Sequence, residues 1–123
     1  MATLLPLSAI LFALSGCGGS TTEDTFSSSG QTGLETARVL GCAACHGADG
    51  EGVEGLGPSF HGLYNSQVEL TDGSTVIADR DYLRRSILEP DDEIVAGFGL
   101  PMPPYNPSSR ELEAMLDYIQ ELQ

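Results

Sequence analysis

Two thiols and an imidazole fall within five residues, Cys42-Ala43-Ala44-Cys45-His46, and this cluster constrains the chain more than any other feature. Cysteines three positions apart stand about one turn from each other, and the adjacent histidine adds a nitrogen donor. Such a group serves three chemistries. A redox dithiol of the thioredoxin kind would follow a strand in a βαβ unit, but here the motif ends a helical pattern and precedes Gly47. A zinc site needs four ligands; apart from Cys17 the candidates are Cys42, Cys45, His46 and His61, with no second close-spaced pair. The third chemistry is covalent attachment of haem, the thiols adding to its vinyl groups while His46 ligates the iron.

The remaining sequence has room for one small domain. Residues Met1 to Gly16 carry no charge, and the apolar stretch from Leu4 to Leu14 is interrupted by Pro6. That stretch is shorter than the roughly 20 residues that span hydrocarbon, so 1–16 reads as a signal peptide. Leu14-Ser15-Gly16-Cys17 resembles a bacterial lipoprotein signal, in which Cys17 is lipidated and becomes the new N-terminus. An ordinary secretory signal with an incidental cysteine is the alternative, since no Lys or Arg lies near Met1. The segment GGSTTEDTFSSSGQT that follows has no periodicity, and 17–31 is expected to be a lipid-anchored tether with a reach of roughly 20 Å. The domain then covers 32–123 of an exported, membrane-anchored lipoprotein facing the periplasm or the cell exterior. Export suits covalent haem, which is attached outside the cytoplasm. A domain this small buries little apolar surface, and a covalently held group would supplement its core.

Charge excludes further classes. The 18 Asp and Glu outnumber five basic residues, all Arg (Arg38, Arg80, Arg84, Arg85 and Arg110), for a net charge of -13. Phosphate backbones and anionic lipid head groups are therefore poor partners, and no nucleic-acid role is expected. Asp49, Glu51 and Glu54 read as a solvated acidic loop.

Periodicity predicts a mostly α domain. Thr32 and Glu35 have capping-box spacing, and Leu34, Ala37, Val39 and Leu40 form an apolar face leading into the motif, predicting a helix over 32–44. A second box, Ser108 and Glu111, opens a helix over 108–122 with Leu112, Met115, Leu116, Ile119 and Leu122 on one stripe. Between them, 79–89 reads as a short helix ended by Pro90, with Tyr82, Leu83 and Ile87 inward. Residues 68–77 alternate around Asp72-Gly73 as a hairpin with a two-residue turn. Of the methionines, Met1 leaves with the signal and Met115 lies on the final apolar stripe. Met102 remains, in Gly99-Leu100-Pro101-Met102-Pro103-Pro104-Tyr105, where the prolines could hold a thioether against an iron, or where Met102 simply fills a gap.

From Thr32 onward the chain resembles the class I cytochrome c family. The resemblance implies a mostly α fold in which N- and C-terminal helices cross, with a short middle helix and a small β-hairpin around one covalent haem c. It implies close helix approach at Gly33 and Ala37, with Tyr118 packed across the crossing. Cys42, Cys45 and His46 take the family's attachment and ligand positions, Met102 the second axial ligand, and the carbonyl of Pro58 the hydrogen bond that orients His46. His61 matches a position that is not a ligand and is expected at the surface or beside a propionate. Arg84 and Arg85 are expected to contact a propionate or a partner, or to be ordinary solvent-exposed side chains.

The order of elements is similar to the cytochrome domain of subunit II in caa3-type oxidases and to free-standing lipoprotein cytochromes. The chain lacks that subunit's copper domain and membrane hairpin, and the absence of Lys means that lysine-rim docking does not carry over. The resemblance implies a single-electron carrier, not an enzyme, between a quinol-oxidising complex and a terminal oxidase. Alternatives are a fixed subunit of a respiratory complex such as alternative complex III or, if the second axial position opens, a haem sensor or peroxidase.

Overall fold

The computed structural model describes residues 26–123; the expected signal segment, the lipidation site Cys17 and the tether as far as residue 25 lie outside them. The described residues form α1 (Ser28–Val39), α2 (Ala43–His46), β1 (Gln67–Glu69), β2 (Thr75–Ile77), α3 (Arg80–Leu88) and α4 (Ser109–Glu121). The architecture is mostly helical with one small antiparallel hairpin, as the periodicity predicts.

The last helix starts where its local sequence directs. Ser108 Oγ accepts from the Glu111 N–H, and the Glu111 carboxylate accepts from the Ser108 N–H at 2.7 Å, closing the capping box. Its stripe of Leu112, Met115, Leu116 and Ile119 is buried, and each such side chain contributes about 1.5–3 kcal/mol relative to exposure. α1 packs on this face. Gly33 lies so close to Ala114 that a Cβ would collide with the Ala114 carbonyl. Ala37 is also buried at the interface, so the small residues act as expected. Tyr118 packs edge-on to Phe26 and Phe60, with ring centroids 5.4 and 6.3 Å away.

The first helix departs from its predicted bounds at both ends. It begins at Ser28 with Ser27 as N-cap, and Thr32 lies inside it, its hydroxyl donating to the Ser28 carbonyl at 2.9 Å. Residues 26–31, expected in the tether, thus belong to the folded body. Tertiary contacts override the local box: the Ser27 N–H donates to Glu121 at 2.8 Å, the Ser27 hydroxyl donates to the same carboxylate, and Phe26 rests on Tyr118. At its other end α1 stops at Val39, because Gly41 takes φ 82° and separates it from α2.

The hairpin pairs Gln67 with Ile77 and Glu69 with Thr75. This register leaves three loop residues, Thr71 to Gly73, instead of the expected two, closed by Leu70 N–H to Ser74 carbonyl at 2.9 Å. The Asp72 carboxylate accepts from the Ser74 N–H at 2.8 Å and further braces the turn. On its outer edge the hairpin accepts the chain leading to Met102, through Thr71 N–H to Ile94 carbonyl at 2.8 Å and Ala96 N–H to Glu69 carbonyl at 2.9 Å.

α3 begins where Asp79 caps the Tyr82 N–H at 2.8 Å and ends before Pro90. Three ion pairs fasten it to α4: Arg80 to Glu113 at 2.7 Å, Arg80 to Asp117 at 2.8 Å and Arg84 to Glu113 at 2.5 Å. Hydrogen bonds from Arg84 and Arg80 hold the Glu113 carboxyl down at about 2. No helix among the described residues is long and apolar enough to cross a membrane.

Candidate functional site

The motif forms α2, a single helical turn just after α1, with Cys42 at its N-cap. Cys42 N–H donates to the Ala37 carbonyl and His46 N–H to the Cys42 carbonyl, each at 2.9 Å, so the end of α1 dictates where both side chains point. Cys42 is buried and Cys45 partly buried, both as free thiols. Burial pushes the Cys42 thiol up, which opposes the thiolate that a reactive dithiol requires. Among the described residues no strand precedes the motif, as a thioredoxin-like pair would need. Among the described residues no set of three or more His, Cys, Asp or Glu converges as bare-metal ligands would.

His46 is oriented by its neighbours. Its Nδ1 lies 2.8 Å from the Pro58 carbonyl and its ring stacks on Phe60, with centroids 4.4 Å apart. A carbonyl only accepts, so the bond places the proton on Nδ1 and leaves the Nε2 lone pair available. Burial also holds the imidazole below its usual pKa, against the opposing pull of the Pro58 bond, and a neutral ring is the form that binds metal. Pro58 is presented by a tight turn in which Val53 N–H donates to the Gly57 carbonyl at 3.0 Å. Gly57 is pressed against the motif: a Cβ there would come within 2.6 Å of the Cys45 carbonyl oxygen.

Cys42, Cys45, His46, Pro58 and Met102 all line one cavity of about 460 Å³, within the roughly 300–1,000 Å³ that encloses a single organic ligand. The fold brings together the whole expected set. Met102 reaches it from a loop between Pro101 and Pro103 and is only partly buried. Met115 lines the same cavity from α4 and is buried to 4 % exposure. The stripe pattern marked Met115 as core without revealing that its core abuts the site. Phe60 and Tyr105 are further lining residues that no pattern singled out, and Tyr82, expected to face inward, also lines the cavity.

His61 and the acidic loop of Asp49, Glu51 and Glu54 lie exposed, as expected. His61 lines the cavity rim, but its Nε2 donates to the Asp49 carbonyl at 3.0 Å, so that nitrogen has no lone pair to offer. Arg84 and Arg85 do not line the cavity at all; they pair with Glu113 and with Glu93, the latter at 3.1 Å. Both lie on the outer surface in these ion pairs, the solvent-side alternative of the two expected. Of the acidic loop, Asp49 pairs with Arg38 at 2.8 Å and Glu51 accepts from the Asp49 N–H at 2.9 Å, while Glu54 is exposed.

The donors suit a haem: a predominantly apolar cavity, two thiols and a neutral imidazole with a defined free nitrogen. The sequence profile of the family described as cytochrome c matches residues 30–123. No curated protein matches the chain as a relative. The family's cofactor is haem, typically covalently bound, and its members are generally electron carriers, not enzymes. With the match extending over most of its length, this chain belongs to the cytochrome c family.

Proposed function

We propose that the protein is a single-electron carrier of a respiratory chain, with one haem c attached through Cys42 and Cys45 and ligated by His46 Nε2 and the Met102 sulfur. The observation that carries this reading is the bond between His46 Nδ1 and the Pro58 carbonyl at 2.8 Å, inside a cavity that both thiols and Met102 line. A haem between an imidazole and a thioether supplies a low-spin iron that exchanges one electron with little change in geometry. The chain's own part is positional. Pro58 fixes the imidazole tautomer, Phe60 fixes the ring plane, and the prolines flanking Met102 limit the freedom of its loop. Met115 and Ile119 add apolar surface to the cavity wall.

The carrier is exported and held to a membrane through lipidated Cys17, receiving electrons from a quinol-oxidising complex and passing them to a terminal oxidase. The similarity of its element order to the cytochrome domain of caa3-type subunit II supports that placement. The test is the optical spectrum of the mature protein, oxidised and reduced, with and without CO, followed by denaturation. A low-spin c-type spectrum insensitive to CO, with haem retained on the denatured chain, is the expected result. A CO-reactive spectrum would overturn the Met102 assignment, and haem released on denaturation would overturn the thioether attachment.

A further inference from the structure

The surface around the cavity mouth differs from the rest of this acidic molecule. From Ile94 to Ser109 no residue is charged, whereas a chain with 19 % charged residues would place about three in such a run. The loop is also exposed: Leu100 is 58 % accessible, and Pro101, Pro103 and Pro104 are exposed beside it. Leu56 belongs to the same face, because the Gly99 N–H donates to the Gly55 carbonyl at 3.4 Å and joins the two turns. Leu56, Leu100, Pro101 and Pro103 all line the cavity, so this face surrounds its opening.

Carboxylates flank the apolar face. Glu54 sits two positions from Leu56, and Asp91 and Asp92 immediately precede the cavity-lining Glu93 and Ile94; all three are exposed. Arg38, Arg80 and Arg84 are tied to carboxylates, Arg85 is neutralised by the cavity-lining Glu93, and neither these nor Arg110, which follows the uncharged run, are among the lining residues. A second copy of the chain or an anionic membrane would meet like charge here. An apolar centre with an acidic border instead complements a protein whose own apolar patch is ringed by Lys or Arg.

We infer that the face formed by Leu56 and the Leu100 to Pro104 loop, bordered by Glu54, Asp91 and Asp92, is the docking surface for a redox protein with a cationic rim. This rests on the electron-carrier reading and adds the charge and location of the contact. The acidic border steers the partner to the cavity mouth, and the uncharged loop lets the two surfaces meet without stripping water from ions.

The experiment is stopped-flow electron exchange between the haem-loaded protein and a lysine-rimmed mitochondrial-type cytochrome c, across a range of ionic strength. Glu54→Lys/Asp92→Lys is compared with Glu35→Lys/Asp81→Lys, an equal charge change on exposed helix positions of α1 and α3. The border pair should slow exchange at low salt by about tenfold or more relative to the control pair, converging as salt screens the charges. Leu100→Ser should slow it at every ionic strength. Equal slowing by the two pairs, with unchanged spectra, would overturn the docking surface while leaving the electron carrier intact. A parent protein lacking covalent haem would overturn the carrier reading and the surface with it.

Discussion

On the wall of the cavity that carries His46, nearly every turn is pinned by backbone hydrogen bonds. Cys42, Ala44, Cys45, His46, Gly47, Gly50, Gly52, Val53 and Gly57 all donate N–H groups to nearby carbonyls. Along the wall that carries Met102, the single backbone bond of this kind between residues 97 and 107 is Gly99 N–H to Gly55 carbonyl. Prolines at 101, 103, 104 and 107 do the restraining there. The two walls illustrate different ways of holding a ligand: one by enthalpy in the folded state, the other by limiting the freedom of the unfolded chain. The bonded wall resists local opening, and the proline wall is where the site yields first.

The comparison is broken most completely at the bonded wall. Cys42→Ala/Cys45→Ala removes both attachment points, and the expected outcome is complete loss of covalent haem, read by a haem stain on a denaturing gel. Met102→Ala leaves haem attached but makes the reduced protein bind CO and lowers its potential, as loss of the thioether ligand requires. Met115→Ala separates the two methionines that line the cavity: it costs about 2–5 kcal/mol of stability through a core cavity, measured by denaturant titration, with the low-spin spectrum retained. If Met115→Ala opens the iron to CO and Met102→Ala does not, the ligand assignment is reversed.

A milder change sharpens the contrast. Pro101→Ala/Pro103→Ala keeps Met102 but frees its loop, each proline contributing about 0.4–1 kcal/mol. CO binding should become detectable, and amide exchange should quicken in the 98–106 loop but not around His46.

The smallest expected effect lies off both walls, at the α3 to α4 ion pairs. Glu113 titrates at about 2, below its ordinary 4.5, because Arg84 and Arg80 bind the charged form. Its stabilisation is present above pH 4.5 and disappears as pH falls from there through about 2. Since this carboxylate is 46 % exposed, Glu113→Gln should cost under about 1 kcal/mol at neutral pH. The difference from the parent should vanish in acid melts.

What could be read from the sequence was what neighbouring residues decide. The α4 capping box, the Asp79 cap region and the cysteine turn need only a few adjacent positions, and each appears close to its expected place. Distant partners explain most of the departures. Thr32 and Glu35 have the spacing of a helix start, yet Glu121 captures Ser27 and moves that start to Ser28. Arg84 finds Glu113, 29 positions away, a pairing no local pattern indicates. The helix periodicity of Met115 identified its buried face without revealing that this face borders the cavity. The Pro58 carbonyl was anticipated from family resemblance, because a Gly-Pro dipeptide alone signals only a turn.

The Glu121 carboxylate that receives Ser27 lies 94 positions beyond it. During synthesis, α1 therefore has no docking face until almost the whole domain has emerged. Cys42 and Cys45 emerge directly behind α1, long before the helix on which α1 packs. For that interval α1 and the cysteine turn it positions lack tertiary support, and the final turn of α4 supplies it through Glu121.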